Sequence, residues 1–325
     1  MRRISMLVLI AWLAVACTGT KEPPLDLLLA VGEGERVVFY PAGTEPASAL
    51  GEWDVGASVQ DLARPVGEAR LWVLTSGELL AFPLRGAALD RAPDPLPAEE
   101  RFDLGGLCSG GRLGLGERRL LVHCPQLGAW TVPLAAPALE AVDVSSDPTG
   151  THYLLGPDDR VVRLRPSGDG FELVYPDPPG DPLEHGVDVQ GAVVEIQGAW
   201  NSEGLLGIAA DRGTDVVLYE WSAGASEPPV FRDPVLELTG LRGLRALPKG
   251  WLVFADSGYV LRRSGQADLR RSGDYRDVAV TPDFYAYLVG PGRLTVLDLL
   301  DPNLVAHTRT AGGQAGSVAY LPAGD

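Results

Sequence analysis

Apolar and polar positions alternate along this chain in short runs, and Gly, Pro, Asp or Ser interrupts each run before a helical period can form. The clearest passage is Asp277–Asp298. An alternating run at Asp277–Val280 is followed by a turn at Pro282–Asp283, an apolar run from Tyr285, a second turn at Gly290–Gly292, and a third run from Arg293. Period-two spacing between turn residues predicts half-buried strands. A second copy reads Val142 as its first strand, turns through Asp147–Gly150, and continues with Tyr153–Leu155 and Arg160–Leu164. Weaker copies follow at Val59–Leu84, Asp103–Leu134, Val187–Trp221 and Leu238–Arg263, which makes six. No helix of useful length is expected, because Gly and Pro interrupt every candidate.

Repeats of about 35 to 50 residues built from several strands are the signature of propeller blades. The chain ends supply a further blade. Leu27–Val31 and Arg36–Tyr40 read as second and third strands with no first, and Ser317–Leu321 as a first strand with nothing after it. Pairing them closes the ring and removes open sheet edges. In this spacing, and in its Pro-Asp and Gly-Arg turns, the chain from 26 to 322 resembles the bacterial β-propeller repeat proteins of the YVTN and WD40-like superfamily, without their Gly-His and Trp-Asp pairs. The expected fold is all-β, a seven-bladed propeller in a single domain spanning 26–325. The Pro-rich segments Ala87–Glu100, Pro176–Gly186 and Ser222–Pro234 read as excursions between blades, where binding often resides.

The amino terminus carries a different pattern. Arg2 and Arg3 precede an apolar run, Ile4–Val15, too short for the ~20 residues of a comfortable membrane span. Leu13-Ala14-Val15-Ala16 then leads into Cys17, and the whole resembles a bacterial lipoprotein signal. The resemblance implies that residues 1–16 are removed, that Cys17 becomes the lipidated first residue, and that 17–25 form a tether. The protein is then exported and held to a bacterial membrane, the outer membrane or cell surface, by lipid alone, near the closing blade.

Hydrophobic residues make up 46% of the chain, so 40 Gly and 27 Pro indicate turn-rich globular structure, not disorder. The net charge of −16 falls to about −18 once Arg2 and Arg3 leave, which removes the electrostatic basis for binding nucleic acid. With Cys17 lipidated, Cys108 and Cys124 remain as an even pair in an oxidising compartment, where a disulfide is favoured. Folding the chain about Gly116, with Gly114–Arg118 as the turn, sets Cys108 opposite Cys124 and Leu113 opposite Arg119.

Catalytic signatures are missing. His123, His152, His185 and His307 have no metal-ligand spacing, and no nucleophile elbow, Walker loop or dinucleotide fingerprint occurs. Asp143, Asp147, Asp158, Asp159, Asp177 and Asp181 read as turn residues. No catalytic residue, metal ligand or cofactor is therefore assigned. Most tryptophans stand in apolar strand contexts, but Trp200 lies at a turn and is the aromatic candidate for recognition. Between Leu241 and Arg276, eight basic residues face three acidic ones, and Arg262, Arg263, Arg270 and Arg271 are the candidates for contacting an acidic partner. The expected function is a lipid-anchored envelope scaffold that binds a protein, peptide or glycan, as a monomer or within an envelope complex. The alternative is a propeller enzyme of the lactonase or sugar dehydrogenase type, with its site at the central channel. Polar side chains clustered at one channel mouth would favour the alternative.

Overall fold

The computed structural model describes residues 27–44, 48–176, 180–232, 234–301 and 306–322. Cys17, the signal and the tether lie outside them. Seven antiparallel four-stranded sheets form a ring, a seven-bladed β-propeller. Blade 1 is built from both ends of the chain: Ala315–Pro322 is innermost, followed outward by Leu27–Glu33, Arg36–Pro41 and Gly51–Asp54. The two terminal strands pair in continuous register from Leu27 opposite Pro322 to Gly32 opposite Ser317. The other blades run outward in chain order and begin at Val59 (blade 2), Arg112 (3), His152 (4), Glu195 (5), Leu241 (6) and Asp277 (7).

The strand patterns follow from which faces are covered. A middle strand is sandwiched between two neighbouring blades and is apolar throughout: Leu71 and Val73 enter the cluster between blades 1 and 2, and Trp72 and Leu74 the cluster between blades 2 and 3. An outermost strand such as Gly51–Asp54 buries only Trp53. Seven apolar clusters result, one at each joint. The joint between blades 3 and 4 is the smallest, with Leu121, Ala129, Tyr153 and Leu155 at its centre.

Three sequence expectations need correction in detail. Val142 pairs with Ala129 as the outermost strand of blade 3, so the copy that opens on it is one strand out of phase; Val187 pairs with Phe171 and Asp103 with Glu78 as outermost strands of blades 4 and 2, so those two copies begin one strand early with their later strands in phase. An Asx turn explains the first error: the amide and hydroxyl of Ser145 donate to Asp143 and end the strand. The Pro-rich segments are not inter-blade linkers. They lead from third to fourth strands inside blades 2, 4 and 5, and the fourth strands begin at Glu100, Leu183 and Val230. The disulfide Cys108–Cys124 is present, with Cα atoms 5.3 Å apart, but the hairpin register differs. Arg112 lies opposite His123 and Leu115 opposite Leu120. Cys108 therefore precedes the strand, in a glycine-rich connection whose amide donates to Ser76 of blade 2 at 2.7 Å.

Each innermost strand leaves one edge towards the channel, and buried backbone N–H groups there require acceptors. Carboxylates from neighbouring blades supply them. Asp61 of blade 2 accepts from Leu113 N of blade 3 at 2.7 Å, and Asp211 of blade 5 from Leu241 N of blade 6 at 3.0 Å. Asp277 of blade 7 accepts from Val318 N of blade 1 at 2.9 Å and from the Arg245 guanidinium of blade 6 at 2.7 Å. One carboxylate thus ties three blades across the closure. Asp277→Ala is expected to cost about 2–4 kcal/mol in urea unfolding, short of the ~3–5 typical of a fully buried pair because Arg245 remains 41% exposed. Asp277→Asn, which keeps an acceptor for Val318 N, is expected to lose less.

Candidate functional site

A cavity of about 410 Å³ runs along the ring axis. Its two halves differ in chemistry. Arg112, His152 and Asp277, which open their innermost strands, and Asp61, Gln197 and Arg242, within the first three residues of theirs, come to one half, where Arg245 reaches Asp277 from later in the blade 6 strand and His123 joins from the second strand of blade 3. The last residues of the same strands supply Leu115, Leu155, Ala199, Trp200, Ala246 and Val280 to the other, which is apolar apart from Arg64, next after the blade 2 strand. At the polar end the channel continues into a cleft of about 540 Å³ between blades 3 and 4, reached at the smallest apolar joint. Arg112, His123, His152, Tyr153, Gln197 and Arg242 line both spaces.

Burial sets the charge states here. His123 is held well below its ordinary range, at about 4, and His152 at about 3, because an imidazolium would be desolvated; Arg112 and Arg245 add repulsion at His152. Both rings are neutral at pH 7. His123 packs on Tyr153 at 4.8 Å, and His152 is hydrogen-bonded to the backbone of Gly198. Burial raises Asp61 to about 6, assisted by the nearby Asp277 carboxylate and opposed by Arg112, the Leu113 amide and Arg245. Burial also raises Glu195, which accepts from Gln197 at 2.7 Å.

The arginines differ in how fully they are engaged. Arg242 grips Asp256 through Nε and Nη2 at 2.6 and 3.0 Å, and Arg245 is spent on Asp277 and on the Val278 carbonyl. Arg112 forms no ion pair among the described residues; its Nη2 reaches across the channel to the Arg242 carbonyl at 3.5 Å. Among the described residues, no three His, Cys, Asp or Glu side chains stand close enough to hold a metal ion.

Trp200, Arg262, Arg263 and Arg270 converge on a groove of about 1400 Å³ between blades 5 and 6, at the finishing end of the innermost strands; Trp200 and Ala246 line both this groove and the channel, and Arg271 does not line the groove. Most of these groups already have structural work. Arg262 binds Asp268, the Arg232 carbonyl and the Pro234 carbonyl. Arg270 pairs with Glu237, Arg263 reaches the Leu299 carbonyl, and Arg271 the Arg270 carbonyl. Trp200 packs near the rings of Tyr175 and Trp221. The basic excess counted from Leu241 to Arg276 is reduced but not removed, because Glu237 and Asp277 just outside that window are partners of Arg270 and Arg245. Asp147 is buried under Arg163, Arg165 and the Tyr153 hydroxyl, and Asp159 accepts from Arg118 N. Asp177 lies outside the described residues. Sequence reasoning missed the channel set, whose signal is position: Arg112, His152 and Glu195 each open an innermost strand.

No protein-family model matches the chain, and no curated protein matches it. Solved structures do. A candidate 6-phosphogluconolactonase from Bacteroides uniformis superposes with a TM-score of 0.64 at 10% identity, covering 92% of this chain and 100% of that one. A protein from Lactobacillus plantarum gives the same values, and AztD from Citrobacter koseri gives 0.53 at 13% identity over 92% of this chain and 81% of its own. At such identities the likeness shows the fold alone.

The buried groups make stability depend on pH in opposing directions. The folded pKa values of His123 and His152 are depressed, so their contribution is present above about 6.5 and is lost as the pH falls towards 4 and 3 and the unfolded chain alone takes up protons. Asp61 is raised, so the folded chain takes up its proton first, between about 6 and 4, and stability is gained there on acidification. Relative to a His123→Gln/His152→Gln variant, the wild type is expected to lose up to ~2.7 kcal/mol per pH unit between about 6.5 and 4, in chemical unfolding measured across that range. Relative to Asp61→Asn, it is expected to gain as the pH falls from 6 to 4.

Proposed function

We propose that this chain is an exported, lipid-anchored propeller that serves the bacterial cell envelope as a binding module, with its ligand taken up at the polar end of the central channel. One observation carries this reading: the channel and the cleft between blades 3 and 4 share six lining residues and make one continuous concave space, while the polar side chains gathered there from separate blades equally favour the enzyme alternative. A concave site of this size with a few converging polar groups suits a small molecule. The anchor fits the geometry. Leu27 lies opposite Pro322 at the finishing end of the innermost strand, the apolar end of the channel, so a lipid on Cys17 would hold that end towards the membrane and leave the polar mouth facing away. The groove containing Trp200, Arg262, Arg263 and Arg270 would then face the membrane side, where an envelope protein, peptide or glycan could approach it.

A second reading, an enzyme in the same mouth, draws on Asp61, a carboxyl pushed up to about 6 inside the channel near Arg112. The two differ in whether the ligand leaves chemically unchanged.

Mass spectrometry of protein extracted from membranes is expected to find the mature chain starting at a lipid-modified Cys17; an unmodified start at another residue would remove the anchor. Wild-type protein, denatured after purification, is expected to release a small molecule at near-equal molar amount. Gln197→Trp, which fills the junction of the two cavities, is expected to release little or none while keeping the wild-type melting profile.

A further inference from the structure

Arg112 and Leu115 stand at opposite ends of one innermost strand, separated along the channel by about 10 Å at the usual strand rise. Around Arg112, the other charged groups of the polar end have partners, and Arg64, which lines the cavity past the end of the blade 2 strand, is engaged as well. Both oxygens of Asp61 accept backbone amides, from Leu62 at 2.8 Å and Leu113 at 2.7 Å. Asp277 is shared between Arg245 and Val318 N, Glu195 holds Gln197, and Arg242 holds Asp256. His123 and His152 are uncharged at neutral pH. The half-buried guanidinium of Arg112 has only the long contact to the Arg242 carbonyl, which leaves most of its five donors directed into a shared cavity.

Resting on the binding-module reading above, we infer that the channel takes an amphipathic monocarboxylate, its carboxylate on Arg112 and its apolar body extended towards Leu115, Leu155, Ala199, Ala246 and Val280. A planar guanidinium fork matches a carboxylate or a phosphate. Charge balance chooses between them: Arg112 has no ion pair among the described residues but already faces the Asp61 and Glu195 carboxylates, so the site offsets one further negative charge at most, and a dianion would bring an uncompensated charge into a desolvated site. The apolar half chooses the body, because alkyl groups gain from leaving water there and hydroxylated ones would lose hydrogen bonds. The cavity of about 410 Å³ is within the range of small-ligand sites. The geometry also orders the ligand: head at the mouth that faces the cleft, tail towards the opposite end.

The test uses the purified mature chain with three probes, octanoate, octanol and inorganic phosphate, in calorimetric titration and thermal shift. Octanoate is expected to bind and raise the melting temperature, octanol to bind more weakly, and phosphate not to bind. Arg112→Gln is expected to weaken octanoate at least about tenfold and to leave octanol unchanged. Arg112→Lys, which keeps the charge without the fork, is expected to fall between. Leu115→Asp, at a position already 47% exposed, is expected to weaken octanoate with Arg112 intact and the fold undisturbed. Octanoate affinity unaltered by both Arg112→Gln and Leu115→Asp would overturn the inference, as would phosphate binding that competes with octanoate. A neutral co-purifying molecule, lost in Gln197→Trp, would overturn the carboxylate and leave the binding module standing. Absence of any co-purifying molecule together with no octanoate binding would overturn both.

Discussion

The pairing of Ala315–Pro322 with Leu27–Glu33 is the constraint on which the molecule depends, because a ring of sheets has no open end only if the last strand of the chain completes the first blade. Everything apolar follows from that closure. With the ring shut, each of seven sheets has a neighbour on both faces, and the middle strands can be apolar on every residue without exposing a face to water. With the ring open, Tyr40, Tyr287 and Val289 at the joint of blades 7 and 1 would be stripped of their cover. The closure is reinforced by polar means. Asp277 reaches across it to Val318 N, and Glu33 of blade 1 accepts from Gly312 N of blade 7 at 2.9 Å and from the Tyr40 hydroxyl at 2.9 Å. Burial, and then the Glu33 contact, raise the Tyr40 phenol, which keeps it a donor.

The joints are not equal, and their inequality places the site. Between blades 4 and 5, Phe171, Tyr219 and Trp221 fill the space; between blades 3 and 4 the apolar cluster is reduced to a few residues. Polar groups replace what is missing. Asp147 gathers Arg165 and the Tyr153 hydroxyl at 2.7 and 2.9 Å, Asp159 accepts from Arg118 N at 3.0 Å, and His123 lies against Tyr153. A joint held by directional contacts leaves room that close-packed side chains would occupy, and the cleft lies there. The smallest apolar joint thus coincides with a cavity that has polar walls, the combination that a stability-for-function trade would give.

Much of this was legible in the sequence, and the failures share one cause. Period-two runs and turn residues identified the middle strands, because burial on both faces makes stretches such as Tyr285–Gly290 unmistakably apolar. The unmatched strands at the two ends gave the closure. Outermost strands were the obscure ones: Glu140–Val142 is three residues long and mostly exposed, and Val230–Phe231 is two, so neither carries a pattern. With no pattern in the outer strands, Val142 and Val187 look in sequence like the openings of new blades. The same blindness shifted the Cys108–Cys124 hairpin by counting Cys108 as a strand residue, although pairing of the two cysteines survives the shift. Local charge counting failed for Arg245 and Arg270, whose partners Asp277 and Glu237 lie just beyond the window counted.

Strand phase matters for function because it decides which residues see the channel. Once Val142 is assigned to the rim of blade 3, His152 becomes the opening residue of blade 4; once Val187 is assigned to the rim of blade 4, Glu195 opens blade 5. Arg112 holds the matching place in blade 3. These three residues are far apart in the chain and belong to no linear motif, yet the parallel arrangement of innermost strands brings them to one end of one cavity, where the cleft residues meet them. A propeller therefore conceals its site from motif reading by construction: the chemistry is written once per blade, in different residue types, at a position defined only by its order within the sheet. The position also carries a direction. Because every innermost strand runs the same way, residues early and late in the strands segregate to opposite ends, and a mostly polar early set with a late set that is apolar apart from Arg64 gives the channel a head and a tail.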